Sequence, residues 1–251
     1  MATNLKFSAD QYRSVMSIFN MLRESARDLT IQNGRIHQLS SSKTLLYDID
    51  LSSYFNTQSI YIANLKQQHT LLNMFALSNN EVMLKIDTNK YTWMDKKSKI
   101  ECTIPEPGNL QPSWLDPTKD RSINTKSLGT KIFETVMDRT VLDRIFQSSK
   151  ALEANTITLT VKEDVAKFII IPCDMLASTK LEVHEVNDMS DESFSVDSQY
   201  DISSFIMKTE ELKLSLHKNA ALSEGLTLKF EAIVDGVNVV IWSATKFIST
   251  K

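Results

Sequence analysis

The chain has 251 residues, of which 42% are hydrophobic and 24% are charged, and this composition fits one large or two ordinary globular domains. It gives no indication of disorder. The formal net charge of -3 at pH 7 excludes a surface that is basic throughout, although it permits a local positive patch.

The first predicted element is an amphipathic helix in the stretch SADQYRSVMSIFNMLRESA, which opens with a helix-start signal at Ser8 or Asp10. Its apolar residues recur at i, i+3 and i+4. They are Tyr12, Val15, Met16, Phe19, Leu22 and Ala26. Four strand-like segments follow, DLTIQ, RIHQLS, TLLYDIDL and SIYIA. Turn residues separate these segments, so we predict an antiparallel meander.

A second predicted helix, LKQQHTLLNMFAL, precedes three alternating segments, EVMLKID, YTWMD and KIECTIP. The stretch PEPGNLQPSWLDPTKDRS then holds four of the five prolines in the chain. Because proline lacks the backbone donor of a sheet ladder, we interpret this stretch as a connector between domains.

The second half of the sequence begins with a predicted strand, KIFETVMD, and a predicted helix, RTVLDRIFQSSKALE. A hairpin of NTITLTVKED and KFIIIPCDM follows, because apolar residues alternate with threonines. The remaining predicted elements are the strands KLEVHEV and ESFSVD, a short helical patch DISSFIMK, the strand ELKLSL, and a last hairpin with the turn Asp235-Gly236.

The order of elements repeats between the two halves. The helix near Tyr12 recurs near Val141, and the strand at Glu81 recurs at Glu211, an offset of about 130 residues. The pattern therefore predicts a duplicated α+β domain with two helices on antiparallel sheets in each copy. The predicted division is 1–105 for the N-terminal domain, 106–128 for the connector and 129–251 for the C-terminal domain.

No set of residues in the sequence predicts catalysis. The four histidines, His37, His69, His184 and His217, are scattered without the spacing of a metal site. With only five glycines, the chain has no GxGxxG, GxxxxGK[ST] or GxSxG motif. The acidic stretches NDMSDES and EVHEVND fit solvated loops better than a cation site. We expect no enzyme activity, no metal and no cofactor.

The cysteines and the apolar segments bear on location. Cys102 and Cys173 lie far apart without CxxC spacing, which favours a reducing compartment over a disulfide framework. The beginning of the sequence lacks the apolar run of a signal peptide, and no stretch approaches the roughly 18 apolar residues of a membrane span. We therefore expect a cytoplasmic protein that makes no membrane contact.

The polar faces of the predicted helices are neutral or basic. In RTVLDRIFQSSKALE one side of a helical wheel carries the apolar stripe. This stripe consists of Val141, Leu142, Ile145, Phe146, Ser149 and Leu152. Arg139, Arg144 and Lys150 lie outside it. The helix LKQQHTLLNMFAL contains no acidic residue, and its predicted exposed side offers Lys66, Gln67, His69, Thr70 and Asn73. Each face alone fits plain solvent contact, whereas together they suit a surface for the DNA backbone.

Two tandem domains of helix, strands, helix and strands, joined by a proline-containing connector, resemble the DNA polymerase sliding clamps. The resemblance is to the two-domain kind, typified by proliferating cell nuclear antigen and by the clamps of large tailed bacteriophages. Locally it is closest to the phage clamps, in ALEANTITLTVKED and in IDLSSYFNTQSIYIANLKQQHTLLNMFAL. In element order it covers nearly the whole chain.

The resemblance implies a DNA clamp fold in which six domains form a closed ring, with helices facing duplex DNA and sheets outside. A two-domain chain then implies a homotrimer whose edge strands are joined between subunits. The implied partners are double-stranded DNA without sequence preference, a DNA polymerase and a clamp loader. A phage-encoded clamp would work in the host cytoplasm.

Particular residues take roles through this resemblance. The implied DNA-facing residues are Arg13, Lys66, Arg139, Arg144, Lys150 and Lys208, with His69 and Arg23 as further candidates. A hydrophobic pocket for partner peptides would be bordered by Leu39, Trp114, Leu115, Phe247 and Ile248. The alternative interpretation of these five residues is ordinary core or chain terminus.

Our hypothesis from the sequence is therefore a processivity factor that catalyses nothing itself. Two alternatives stay open, a monomeric clamp-like DNA-binding subunit of a polymerase and a phage structural or assembly protein with a duplicated sheet domain. An enzyme is a third, for which the sequence offers no set of convergent polar groups.

Overall fold

A computed structural model describes residues 3–56, 59–104, 129–162, 165–170, 179–183, 188–189, 195–201, 208–218 and 225–245. These residues form two compact units. The first contains the described residues up to Ile104 except 43–46, together with 234–238, and the second contains the others. The predicted connector 106–128 and most of the predicted helical patch DISSFIMK lie outside the described residues, so the predicted domain boundaries stay a prediction.

The first half of the chain contains eight strands and three helices among its described residues. They are β1 (Thr3–Phe7), α1 (Ala9–Leu22), β2 (Leu29–Ile31), β3 (Arg35–Leu39), β4 (Leu45–Asp50), α2 (Ser52–Phe55), β5 (Ile60–Ile62), α3 (Leu65–Ala76), β6 (Val82–Ile86), β7 (Lys90–Met94) and β8 (Lys99–Thr103). An antiparallel sheet has the order β1-β6-β7-β8. Strand β3 lies beside β4, and β2 pairs with β5.

The pairing of β2 with β5 corrects the predicted meander, in which β2 would pair along its length with β3. Between β2 and β3 the structure has only the isolated bridge of Gln32 with Arg35. The buried amide of Gln38 replaces the missing ladder, because its Oε1 accepts a hydrogen bond from Thr30 N (2.9 Å) and its Nε2 donates one to Asp28 O (3.0 Å). The backbone of β2 is thus satisfied by a side chain on one edge and by β5 on the other.

The second half contains nine strands and one helix among its described residues. They are β9 (Thr130–Asp138), α4 (Arg139–Ala151), β10 (Thr156–Lys162), β11 (Val165–Ile170), β12 (Thr179–Val183), β13 (Asp188–Met189), β14 (Ser195–Asp201), β15 (Glu211–Lys218), β16 (Leu226–Val234) and β17 (Val237–Ala244). One antiparallel sheet has the order β12-β11-β10-β14. In another, the strands run β13-β9-β15-β16-β17. The predicted turn at Asp235-Gly236 is confirmed, since both residues have a positive φ (47° and 80°).

The two halves repeat the same strand order. Strands β1-β6-β7-β8 in the first half correspond to β9-β15-β16-β17 in the second. A helix follows the first strand in each case, starting at Ala9 in α1 and at Arg139 in α4. This agreement in connectivity matches the repeat of elements predicted from the sequence.

The first helix is held by its cap and by a buried apolar side. Ser8 and Gln11 form a capping box, in which each side chain accepts a hydrogen bond from the other residue's backbone N–H. All six residues of the predicted stripe are buried, although α1 ends at Leu22 and Ala26 lies beyond it. Tyr12 lies in an aromatic cluster with Phe7, Phe75 and Trp93.

Candidate nucleic-acid interface

Helices α1 and α3 lie side by side in the first unit and present one polar surface. The buried hydroxyl of Tyr12 donates a hydrogen bond to Leu72 O at 2.9 Å, which ties the two helices together. Because the apolar side of each helix is buried, its polar side is left facing solvent. Arg13 on α1 and Lys66 on α3 are both exposed.

Each of these two cations has a carboxylate partner. The Arg13 Nη1 atom lies 2.8 Å from Asp10 Oδ1, and its Nη2 donates to the side-chain oxygen of Asn79 at 2.9 Å. The Lys66 Nζ atom lies 2.8 Å from Glu24 Oε2. Exposed pairs of this kind contribute only about 0.2–1 kcal/mol to stability, but they compensate charge locally.

Helix α4 presents a second basic surface. Asp138 caps it by accepting a hydrogen bond from Val141 N at 2.9 Å. Outside the buried stripe, Arg144 and Lys150 are exposed, and neither side chain has an ion pair or hydrogen bond with any residue that the structure describes. Arg139, at the start of the same helix, is half-buried.

The guanidinium of Arg139 is held by its surroundings. Its Nη2 atom lies 2.5 Å from Asp143 Oδ1, one turn along α4. Its Nη1 donates to Thr209 O at 3.5 Å. Lys208, the residue before Thr209, is exposed and outside any helix, and it has no partner within the described ranges.

Two further sequence interpretations need correction. His69, predicted on the exposed side of its helix, is only 5% exposed. Its Nδ1 lies 3.2 Å from Arg23 Nη1, and burial together with the charge of Arg23 lowers its pKa, so the ring is neutral at pH 7 and adds no charge to the surface. Phe146, predicted in the buried stripe of α4, is 44% exposed, because it lies at the margin of the stripe, whose buried members include Leu142 and Ile145.

The predicted partner-peptide pocket is not assembled from described residues. Leu39 ends β3 and is half-buried. The other four members, Trp114, Leu115, Phe247 and Ile248, lie outside the described residues. The pocket stays a prediction.

The sequence interpretation missed a set of exposed apolar side chains on the two helices that contact the outermost strands. Leu71 and Met74 on α3 are 40% and 60% exposed. They follow Gln68, whose Oε1 accepts a hydrogen bond from the Cys102 thiol of edge strand β8 at 3.0 Å. In the second unit α4, with Phe146, contacts edge strand β12. A helical wheel could have placed Leu71 and Met74 outside the buried stripe, but it could not have shown which strands their helix contacts.

The described residues contain no group of three histidine, cysteine, aspartate or glutamate side chains that could hold a metal ion. His37 is buried on β3, His217 is half-buried on β15, and His184 lies outside the described residues. Within the same residues, no helix combines the length and the apolar character that a membrane crossing requires.

Comparison with known proteins identifies the fold. No protein-family profile and no curated protein sequence matches the chain. Among solved structures, proliferating cellular nuclear antigen of Entamoeba histolytica is similar with a TM-score of 0.66 and 13% identity, over 97% of this chain and 98% of that one. The PCNA2-PCNA3 complex of Sulfolobus tokodaii is similar with a TM-score of 0.64 and 15% identity, over 97% and 99%.

A third similar structure is A. fulgidus PCNA bound to the C-terminal region of FEN-1, with a TM-score of 0.64 and 11% identity over 99% of this chain and 100% of that one. At such identities the likeness concerns the fold. The chain therefore has the sliding-clamp fold, an α+β fold of antiparallel sheets and few helices, over nearly its whole length.

Proposed function

We propose that this chain is a sliding clamp, a processivity factor that encircles duplex DNA and tethers a replicative DNA polymerase. The observation that supports this most strongly is the clamp fold itself, which extends over 97–99% of the chain and matches 98–100% of the three PCNA chains. The clamp would act by retention on DNA rather than by catalysis.

The proposed assembly is a homotrimeric ring of six domains. Strand β8 ends the sheet β1-β6-β7-β8, and β12 ends the sheet β12-β11-β10-β14. Edge strands expose unpaired backbone groups, which proteins usually cover or pair. Pairing β8 of one copy with β12 of the next would use both edges, and such a head-to-tail contact closes into a ring when its rotation permits.

The exposed apolar residues support the same contact. Leu71 and Met74 are on the helix whose Gln68 is hydrogen-bonded to Cys102 of β8, and Phe146 is on the helix that contacts β12. Large exposed apolar side chains beside an unpaired strand edge are typical of surfaces that another chain covers. In the proposed trimer they would be buried between protomers.

The proposed DNA-facing residues are those named from the sequence, Arg13, Lys66, Arg139, Arg144, Lys150 and Lys208. Lysine and arginine attract phosphate without reading bases. All of them except Lys208 are on helices, and their long side chains would contact the duplex without fixing its register, as sliding requires.

The proposed partners are a DNA polymerase and a clamp loader. A. fulgidus PCNA has been solved with the C-terminal region of FEN-1, and we propose that this chain likewise binds partner segments, at the pocket predicted around Leu39, Trp114, Leu115, Phe247 and Ile248. We propose that the chain is divided into domains 1–105 and 129–251, joined by a connector at 106–128. We also propose that the protein is encoded by a tailed bacteriophage and acts in the host cytoplasm.

Native mass measurement at micromolar concentration tests the ring, and a trimer mass is expected. The second test compares retention on a duplex with bulky blocks at both ends and on the same duplex with open ends, after a salt challenge. An encircling ring stays on the blocked duplex and slides off the open one.

A single-subunit mass would reject the ring, and equal retention on both duplexes would then indicate a monomeric clamp-like DNA-binding subunit. A structural or assembly protein would leave the product length of a DNA polymerase unchanged on a primed template. We expect longer products.

A further inference from the structure

The six proposed DNA-facing cations fall into two groups according to their partners. Arg13, Lys66 and Arg139 each lie within 2.8 Å of a carboxylate oxygen, on Asp10, Glu24 and Asp143 respectively. The other three have no ion pair within the described part of the chain, and they are Arg144, Lys150 and Lys208. Every member of this second group therefore belongs to the second half of the chain.

This division matters because DNA affinity depends on net neutralisation of phosphate. Each phosphate that a protein neutralises releases condensed counterions, and the logarithm of the binding constant then falls with the logarithm of salt concentration by about 0.9 per contact. A lysine that approaches DNA together with a carboxylate adds little net positive charge. Its contribution to affinity and to the salt slope is correspondingly small.

Glu24 is a carboxylate whose position the helix dipole does not favour, and besides Lys66 it pairs with the adjacent Arg23, whose Nε lies 3.4 Å from Glu24 Oε1. Asp10 lies in the first turn of α1, where the helix dipole favours a negative side chain. Glu24 lies just past the opposite end of the same helix, which ends at Leu22, and there the dipole disfavours a carboxylate. Glu24 nevertheless reaches across to the first turn of α3 and contacts Lys66 at 2.8 Å.

Lys66 has no carboxylate partner on its own helix, because α3 from Leu65 to Ala76 contains no acidic residue. Glu24 is 47% exposed and Lys66 is 66% exposed, so both side chains are accessible to a phosphate. A phosphate that contacts Lys66 must therefore compete with Glu24.

We propose that Glu24 competes with DNA phosphate for Lys66 and so masks the charge of this lysine. Arg144, Lys150 and Lys208 of the second half would then make most of the DNA contact. The inference rests on the proposed clamp function. It assigns unequal DNA contacts to two halves that share a strand order, and it makes Glu24 a residue that limits how tightly the clamp holds DNA.

The test is a double-mutant cycle on the full-length protein, using Glu24→Gln, Lys66→Gln and the double variant. Binding to a 5′-labelled duplex of about 30 base pairs, long enough to cover a contact surface of roughly 10 phosphates, is followed by fluorescence anisotropy at several salt concentrations. Lys150→Gln serves as the unpaired reference. Lys96→Gln, an exposed lysine in the turn between β7 and β8, is the control for loss of a charge elsewhere.

Glu24→Gln is expected to tighten binding and to steepen the salt slope by up to about 0.9 for each unmasked Lys66 that reaches a phosphate. Lys66→Gln is expected to weaken binding less than Lys150→Gln in the natural sequence, and to abolish the gain in the Glu24→Gln background.

Two results overturn the inference, and they are distinguishable. If the natural protein binds duplex DNA and Lys66→Gln has the same effect in both backgrounds, the masking by Glu24 is wrong while the proposed function stands. If neither the natural protein nor any variant binds this duplex at low salt, the inference is wrong, and the proposed function falls with it only when the natural protein also fails to stay on the duplex with blocked ends. Thermal unfolding of each variant confirms that folding is retained.

Discussion

Gly34 lies with Asn33 in the turn between β2 and β3, and both residues have a positive φ (73° and 51°). A Cβ atom at Gly34 would lie 2.3 Å from Asn56 O and 2.7 Å from the Cα of Ser52. Both of these neighbours are backbone atoms, which cannot move aside as a flexible side chain can. The turn and helix α2 therefore approach each other only because position 34 has no side chain.

We predict that Gly34→Ala lowers the free energy of unfolding by more than about 2 kcal/mol, because overlap with backbone is added to the strain of a positive φ. Gly236→Ala is the matched control, since Gly236 also has a positive φ (80°) but open space around its Cα. It should cost about 1 kcal/mol. Urea unfolding of both variants measures the difference, and equal destabilisation would contradict the steric explanation.

His69 makes stability depend on pH. Burial and the neighbouring Arg23 lower its pKa in the folded protein, so the unfolded chain takes up the proton first, at its ordinary pKa of about 6.5. Stability is therefore complete above that value and is lost as pH falls below it.

We predict that the free energy of unfolding decreases between pH 7 and pH 5, and that His69→Gln makes this decrease smaller. His217, whose pKa is also lowered, mainly by burial, supplies a remaining part of the slope. Urea denaturation at half-unit pH intervals provides the measurement. An identical pH dependence in the variant would exclude His69 as a source.

At the scale of elements, helix α4 differs from α1 and α3 in that two of its cations lack a partner among the described residues. Arg144 and Lys150 face solvent, while Arg139 is held by Asp143 and Thr209 O. Amphipathic packing explains why these cations are outside the core, and the missing partners explain why they remain available to a phosphate.

The double variant Arg144→Glu with Lys150→Glu should impair DNA retention without changing the native mass. The salt slope should fall by about 0.9 for each phosphate that the variant no longer neutralises. Reversal of Lys96 and Lys97, exposed in the turn between β7 and β8, is the control with the same change in net charge. Unchanged retention in the α4 variant would remove these residues from the DNA-facing set.

Periodicity in the sequence was sufficient to predict α1, α3 and α4, because each helix has a stripe of apolar residues at helical spacing and a polar remainder. It was also sufficient for the hairpin of β10 with β11, whose apolar residues Ile157, Leu159 and Val161 are all buried. These features depend on neighbours within a few residues along the chain.

Periodicity failed where distant residues decide the structure. The Gln38 amide takes the place of a ladder between β2 and β3, and the buried His69 contacts Arg23, which is 46 residues away in sequence. The partner of Lys66 is 42 residues away. The predicted site therefore contained suitable cations but could not indicate which of them already had a partner.

At the scale of the whole molecule, the proposed trimer depends on apolar side chains beside free strand edges. Met74 is on the helix whose Gln68 is hydrogen-bonded to β8, and Phe146 is on the helix that contacts β12. A charge at either position would be buried without a partner in the closed ring.

Met74→Glu and Phe146→Glu are each expected to weaken self-association more than about tenfold, since an unpaired buried charge costs more than about 1.4 kcal/mol. Ile233→Glu is the control, because Ile233 is 63% exposed on β16, an interior strand between β15 and β17. Native mass measurement over a dilution series gives the trimer fraction. A trimer as stable in all three variants as in the natural protein would argue against this interface.

Because the Gln38 amide stands in for a regular ladder between β2 and β3, the two halves should differ in the free energy of local opening. Strands β10 and β11 pair without interruption from Ile157↔Ile170 to Lys162↔Val165, whereas β2 and β3 are joined by one bridge and one side chain. Local opening exposes amides to deuterium with a free energy set by the interactions that must break. Amides of β2 and β5 should therefore exchange faster than those of β10 and β11, so the first half of the chain would have a more labile sheet than the β10–β11 hairpin.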